Sequence, residues 1–243
     1  MDSYAYLLGT ALMGLVWLLG FLCREDLRKP MVWSGFFYVF VLSLGFLLLT
    51  VAGFFHAHSP GREIIPGYWN PETMFNLGRA THGYAVEDAL FMFFIGGIAT
   101  CVYEVAVHKR IKFKKRPQSH FRAVKFAALA AFLLAAFTSL NYMYSLIAFG
   151  FGGAAVIWEE RKDLIFHSML GGIILTLVYF VCFEFFNFLF PHFIPQFYTL
   201  KNVSGILVLG IPLEEYLYVL GFGLMWAPFY EYEHGEKDVD LKK

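Results

Sequence analysis

Two pairs of adjacent acidic residues lie inside apolar parts of the sequence, where they could transfer protons. The pairs are Glu87-Asp88 and Glu214-Glu215, and a Tyr-Glu dipeptide begins 16 residues after the first acid of each pair. Ionisable groups cost several kcal/mol in hydrocarbon, so they are rarely placed there without a function. A carboxyl group in apolar surroundings beside a second acid can hold a proton and donate it, which suits general acid catalysis.

The second pair also fits an ordinary helix start. Pro212 stands just before it, and proline followed by carboxylates is favoured in the first turn of a helix. If the apolar run 206–230 is instead one continuous helix, Glu214 lies about nine residues and roughly 13 Å along its axis. The repetition of the acidic pair favours a functional interpretation over the ordinary helix start.

The composition identifies an all-α membrane protein. The chain has 243 residues, of which 58% are hydrophobic and only 16% are charged, unlike a typical soluble domain. A helix needs about 20 apolar residues to cross a bilayer. Apolar runs predict about seven transmembrane helices, at 5–23, 32–55, 84–105, 123–138, 141–158, 165–190 and 206–230. Only a short connection separates the fourth run from the fifth.

Lysine and arginine residues are concentrated on one side of the predicted spans. Sixteen of the 19 fall on or beside the side that carries the C-terminal tail, and only Arg62, Arg79 and Lys201 fall on the other. Cytoplasmic loops carry the excess of positive charge, which predicts a multi-pass cell-membrane protein with its N-terminus outside and its C-terminus in the cytoplasm. The basic run 108–116 is part of this signal and indicates contact with anionic lipid rather than nucleic acid.

An internal repeat links the acidic pairs to other charged residues. An Arg-x-Asp-Leu turn follows the first span and again the fifth, and the Tyr-Glu dipeptides end the third and seventh spans. Each Arg-Asp pair is either a topology anchor with a solvated cap or an ion pair that supports a site. These candidate supporting residues are Arg24, Asp26 and Glu104 in the first copy and Arg161, Asp163 and Glu231 in the second.

Each copy contains three spans, and one further span lies between the copies. An odd number of helices per copy and an odd linker return the second copy to the orientation of the first, so the repeats are predicted to be parallel. The predicted domains are a first repeat over 1–105, a basic loop and linking span over 106–138, a second repeat over 139–231 and a cytoplasmic tail over 232–243.

With these motifs the sequence resembles the small membrane-bound lycopene cyclases of the heterodimeric bacterial and the fused archaeal and fungal type. Members carry two three-span repeats, each with an Arg-x-Asp-Leu turn and a Pro-x-Glu-Glu or Pro-x-Glu-Asp stretch followed by aromatic residues. Here the second repeat reads Pro212-Leu213-Glu214-Glu215, whereas the first has Ala85 in place of the proline. The resemblance covers both repeats and leaves out the fourth span and the tails.

The resemblance implies an enzyme of carotenoid biosynthesis that cyclises the acyclic ends of lycopene or a related carotenoid to β-type rings. Protonation of a terminal double bond starts this isomerisation and loss of a proton ends it, so no cofactor is expected. Glu214 and Glu87 are predicted to be the acids. Their neighbours Glu215 and Asp88 are predicted to act as partner, base or orienter.

Aromatic side chains near the acids could stabilise a carbocation intermediate. An aromatic face stabilises a cation by roughly 0.5–2 kcal/mol. A lipophilic carotenoid would reach these rings from the bilayer, which predicts a groove that is open to lipid. The candidate substrate-binding residues are Phe91, Phe93, Phe94, Tyr216 and Tyr218.

Other functions and sites are less well supported. A proton-coupled transporter of a small molecule or lipid is the main alternative, since parallel repeats with intramembrane carboxylates also suit transport. No metal is predicted, because His56 and His58 lack an evident third ligand and Cys23, Cys101 and Cys182 form no Cys-x-x-Cys pair. The predicted partners are the carotenoid and the bilayer, and both a homo-oligomer and association with other carotenoid enzymes stay open.

Overall fold

Long helices make up most of the protein. The computed structural model describes residues 4–53, 61–81, 84–112, 121–234 and 237–240. The helices are α1 (Ala5–Cys23), α2 (Arg28–Gly53), α3 (Leu77–Ala80), α4 (Val86–Ala106), α5 (Arg122–Phe137), α6 (Tyr142–Glu160), α7 (Ile165–Leu189), α8 (Phe193–Phe197), α9 (Leu213–Trp226) and α10 (Phe229–His234). Two antiparallel ribbons pair β1 (Lys109–Lys112) with β4 (Lys237–Asp240), and β2 (Leu207–Val208) with β3 (Ile211–Pro212). The protein is an all-α membrane protein, as the composition predicts.

Seven helices of the described chain have 14 or more residues. The helices α5 and α6, with 16 and 19 residues, are separate, because Asn141 begins α6 by accepting a hydrogen bond from the Met143 N–H at 2.8 Å. Among the described residues, four helical stretches are long and apolar enough to cross a membrane, namely Ala5–Cys23, Glu25–Val51, Val86–Ala106 and Lys162–Leu189.

The last long helix starts later than the continuous apolar run 206–230 predicts. The first part of that run forms the β2–β3 hairpin, with Gly210 in its turn at a positive φ of 81°. Pro212 occupies the N-cap position of α9. Glu214 and Glu215 therefore lie in the first helical turn, and the prediction that they lie roughly 13 Å inside a helix is wrong.

The two repeats share one packing arrangement. In the first repeat α4 packs against α1 and α2, and in the second α9 packs against α6 and α7. The turn between α1 and α2 is fixed by Arg24, which donates hydrogen bonds to the Asp26 carboxylate at 3.0 and 2.9 Å and to the Glu104 carbonyl at 3.1 Å. Hydrogen bonding to Asp26 raises the pKa of Arg24. This turn ties the first two helices to the end of α4.

The turn of the second repeat has the same design. Arg161 donates two hydrogen bonds of 2.8 Å to Asp163 and one of 3.4 Å to the Glu231 carbonyl. Carboxylate oxygens of Glu104 and Glu231 and a ring nitrogen of His167 all lie within 4.8 Å of one another. Both turns therefore lie at one end of the bundle, which confirms that the repeats are parallel.

Close backbone contact joins helices α6 and α9. A Cβ added to Gly150 would lie 2.4 Å from the carbonyl carbon of Gly221. Small residues permit this approach, which is a common way to pack helices in membranes. Between the repeats, the Tyr38 ring lies 4.3 Å from the Phe222 ring and 4.8 Å from the Trp226 ring, centroid to centroid. The centre of the bundle is thus filled by rings and by helices in direct contact.

We expect Gly150→Ala to lower the thermal unfolding midpoint of the detergent-purified protein. The new methyl group would force α6 and α9 apart, and overpacking of this kind costs about 1–3 kcal/mol. Gly45→Ala on α2 is the matched control, since its Cβ would meet no atom within 4 Å. Equal unfolding midpoints for the two variants would contradict the proposed contact.

Candidate active site

A largely apolar cavity lies where the third helix of each repeat begins. Its volume is about 170 Å³, and side chains from both repeats line it. Among the described lining residues, Asp88 and Glu215 are the only carboxylates, one from α4 and one from α9. The aromatic residues of the wall are Tyr6, Phe46, Tyr68, Trp69, Phe91, Tyr179, Phe183, Phe186, Phe193, Tyr198 and Tyr218.

Two connecting segments pair with each other beside the cavity. The Asn70 N–H donates to the Phe197 carbonyl at 3.0 Å, and the Thr199 N–H donates to the Tyr68 carbonyl at 2.8 Å. Tyr68 lines the cavity and is 1% exposed. The connection between α2 and α4 is thus joined to the connection between α7 and α9, and together they close one end of the site.

Arg62 anchors the first of these segments. The charge distribution along the sequence predicts only that Arg62 lies on the outer side. In the structure its side chain is buried, with 5% of its surface exposed. Its Nη2 donates to the carbonyls of Ala135 and Thr138 at 2.6 and 2.5 Å. A cation at a helix C-terminus compensates carbonyl groups that have no helical partner. Arg62 therefore caps α5 and holds the segment over the bundle.

Glu215 is held by tyrosines from different parts of the chain. Tyr68 donates to its Oε1 at 2.9 Å and Tyr179 to its Oε2 at 2.8 Å. Burial raises the pKa of Tyr68 and of Tyr198, which also lines the cavity from a connecting segment. Their hydroxyl groups therefore keep their protons and remain donors. Both oxygens of the buried carboxylate have a partner, which lowers the cost of burying it.

Asp88 has a different set of partners. The Tyr6 hydroxyl donates to its Oδ1, and the Ala85 N–H donates to its Oδ2 at 2.7 Å. The second bond runs from the backbone N–H of the N-cap residue to the side chain three residues later, as in a capping box. The backbone therefore fixes Oδ2 of Asp88. A tyrosine hydroxyl can both donate and accept, which allows Asp88 to carry a proton on Oδ1 without losing its partner.

Glu87 and Glu214 do not line the cavity, although the sequence predicts them as the acids. Glu87 accepts a hydrogen bond from the Met74 N–H at 2.6 Å. Glu214 accepts from the Ser204 N–H and the Tyr144 hydroxyl, both at 2.9 Å. Neighbouring residues on a helix point about 100° apart, so only the second acid of each pair reaches the cavity. The first acid holds the loop that precedes its helix.

Both repeats of the chain match one known protein family. The lycopene cyclase family model matches residues 3–106 and 141–233, which leaves out the linking region between the repeats. The chain belongs to the lycopene cyclase family. It is therefore a carotenoid-cyclase-like membrane enzyme with a lipophilic substrate. No curated protein and no solved structure matches the chain.

Two of the aromatic residues predicted for a lycopene cyclase substrate line the cavity. Phe91 and Tyr218 each lie three residues after the carboxylate that faces it. Phe94 instead packs beside Trp17, with ring centroids 6.1 Å apart. Tyr216 donates to a backbone carbonyl of strand β2 at 3.1 Å. The rotation that turns Asp88 and Glu215 inward also decides which aromatic residues reach the cavity.

The sequence does not reveal the tyrosines that bind the carboxylates. When the two repeats are aligned at their Arg-x-Asp-Leu turns, Tyr6 corresponds to Met143 and Tyr179 corresponds to Leu42. All four of these residues line the cavity, but the polar partner occurs in a different helix of each repeat. Comparison of the repeats therefore gives no signal for either tyrosine. Tyr68 lies in a connection that differs between the repeats.

The predicted supporting residues lie at the other end of the bundle. None of the residues of the Arg-x-Asp-Leu turns lines the cavity, and neither does Glu104 nor Glu231. The ligand atoms of Glu104, His167 and Glu231 lie close enough to share a cation, with His167 Nε2 3.5 Å from Glu104 Oε1. His56 and His58 lie outside the described residues.

We expect Glu214→Ala to release the loop before α9. Loss of a hydrogen bond to a charged acceptor costs about 1.5–3 kcal/mol, so amide exchange at Ser204 should accelerate roughly tenfold or more. Glu214→Gln is the matched control, because its side-chain oxygen still accepts the bond. Hydrogen exchange read by mass spectrometry checks both variants, and unchanged protection in Glu214→Ala would refute the loop-holding role.

Proposed function

We propose that this lycopene cyclase family member converts the acyclic ends of lycopene or a related carotenoid to β-type rings, with Asp88 and Glu215 as the proton-transfer pair. The observation that carries this proposal is a single apolar cavity to which each repeat contributes one carboxylate. A reaction that adds a proton at one carbon and removes another needs an acid and a base within reach of the substrate. Glu87 and Glu214 are assigned to loop positioning instead.

The reaction balances without a redox partner. One carboxyl group donates a proton to the terminal double bond, which leaves a tertiary carbocation. The electrons of the neighbouring double bond attack this cation, and a new carbon–carbon bond closes the ring. The second carboxylate removes a proton from the ring, and a new double bond forms. One proton enters and one leaves, so the product is an isomer of the substrate.

The surroundings of the two carboxylates suit this sequence of steps. Asp88 accepts one hydrogen bond from a backbone N–H and one from the Tyr6 hydroxyl. Glu215 instead accepts hydrogen bonds from two tyrosine hydroxyls. Different environments allow two carboxyl groups to take different roles. The rings of Phe91 and Tyr218 face the same space, where an aromatic face stabilises a cation by roughly 0.5–2 kcal/mol.

The size of the cavity indicates that one end of the substrate is bound at a time. A volume of about 170 Å³ is below the roughly 300–1,000 Å³ of pockets that enclose drug-sized ligands. An end group of a polyene would occupy it, and the remaining chain would extend elsewhere. A carotenoid that is cyclised at both ends would therefore have to turn round between two reactions.

We expect Asp88→Asn and Glu215→Gln to abolish ring formation in bacteria that accumulate lycopene. Loss of an acid or base typically lowers a rate by about 10²–10⁴-fold, and chromatography of the pigments measures the effect. Glu87→Gln and Glu214→Gln are the matched controls, because they remove a charge from the neighbouring position but keep an acceptor for the loop. These two variants should retain most of the conversion at equal membrane expression.

Conversion of unlabelled lycopene by the purified protein in heavy water provides an independent readout. Each ring formed by the wild-type protein should carry one deuteron from the exchanged carboxyl group, which mass spectrometry detects.

Loss of activity only in the Glu87 and Glu214 variants would return the acid role to those residues. Unchanged lycopene with a well-expressed wild-type protein would favour the proton-coupled transporter.

We also propose that the carboxylate cavity lies towards the outer face of the cell membrane and the Arg-x-Asp-Leu turns towards the cytoplasm. The excess of lysine and arginine beside those turns supports this orientation. A fluorescent protein fused after residue 243 should fold and fluoresce in the cytoplasm, whereas alkaline phosphatase at the same place should be inactive. An active phosphatase fusion would show the opposite orientation.

A further inference from the structure

A second apolar cavity lies between α2, α5 and α6. Its volume is about 260 Å³. Among its described lining residues only Lys125 and Ser145 are polar. A site with so few polar groups offers almost nothing to a hydrophilic ligand, and it favours a hydrocarbon.

This second cavity adjoins the carboxylate cavity. Leu42 and Leu146 line both of them, so the two cavities meet at these two aliphatic side chains. Along α2 the lining extends from Phe37 to Leu49, which is about 18 Å at 1.5 Å per residue. The cavity is therefore elongated along the helices, as a rod-shaped ligand requires.

The second cavity also reaches the lipid-facing surface. Phe40 and Leu44 line it and are 63% and 46% exposed on α2. Gly45 lies beside them, and a Cβ added there would meet no atom within 4 Å. The missing side chain leaves open space in the wall of the cavity. A lipophilic molecule could thus enter between α2 and α5 from the bilayer.

We propose that this second cavity binds the conjugated chain of the polyene while the end group reacts between Asp88 and Glu215. The inference rests on the proposed cyclase function, and it adds the binding site for the part of the substrate that does not react. Helix α5 forms one wall of this site. Since α5 lies outside both matched repeats, the linking helix gains a role in substrate length specificity.

Among the described residues a single linking helix walls this site, and it packs on α6 and α2. The duplicated repeats therefore build one asymmetric channel rather than two. A substrate whose chain fills it presents a single end to the carboxylates, in agreement with the small volume of the first cavity.

The test is Gly45→Phe, which places a ring in the second cavity without moving the carboxylates. Purified protein in lipid vesicles would be given lycopene and, separately, a shortened acyclic polyene with the same end group. Turnover of lycopene should fall at least about tenfold, because its end group can no longer reach the acids in the required geometry. Turnover of the shortened polyene should stay within about twofold of the wild-type value.

One variant controls for effects that do not depend on the channel. Leu47→Phe adds a ring to the exposed face of α2, where Leu47 is 60% exposed. This variant should turn over the two substrates as the wild type does. Equal loss of both substrates in Gly45→Phe, or wild-type turnover of lycopene, would overturn the proposal.

Binding separates a failure of the channel from a failure of the cyclase function. The absorbance spectrum of lycopene added to the protein reports binding without any reaction. If the wild-type protein binds lycopene but forms no ring, the cyclase function fails while Gly45→Phe still tests the channel. Binding that is as tight in Gly45→Phe as in the wild type would refute the channel.

Discussion

The structure depends on the burial of two carboxylates in an apolar cavity inside a membrane protein. Such groups are stable only when hydrogen-bond donors surround them. The donors for Glu215 come from a connecting segment and from α7, through Tyr68 and Tyr179, and those for Asp88 come from α1 and from the backbone before α4. The site therefore forms only when both repeats and the connecting segments have assembled, which couples its geometry to the complete fold.

The two repeats share the same helical framework, but they differ at the positions that surround the cavity. The Arg-x-Asp-Leu turns bind the ends of the two repeats in the same manner, so the bundle is nearly symmetric at that end. At the cavity the equivalent positions differ, and Tyr6 and Tyr179 have the apolar counterparts Met143 and Leu42. Two carboxylates in different surroundings can serve as acid and base, which identical half-sites could not easily do. The unpaired helix α5 adds a second asymmetry.

An apolar stretch of sequence does not by itself distinguish a helix from other structures. The run before Glu214 is apolar enough to be predicted as the start of a span, but it forms an exposed hairpin in which Leu209 is 72% exposed. Gly210 adopts a positive φ in the turn of that hairpin. Pro212, which has no N–H group, ends the hairpin and begins the helix. These two residues contained the signal, since glycine and proline interrupt regular structure, whereas the average hydropathy of the run concealed it.

The sequence by itself determined the membrane class, the internal repeat, the parallel arrangement and the family, because hydropathy, charge bias and repeated motifs are properties of the chain in one dimension. Only the tertiary structure decided that Asp88 and Glu215, and not Glu87 and Glu214, face the cavity. Helical geometry fixes an angle of about 100° between neighbours, but the absolute rotation of a helix is set by the helices against which it packs. The tyrosine partners and the second cavity depend on the same packing, so local sequence could not reveal them.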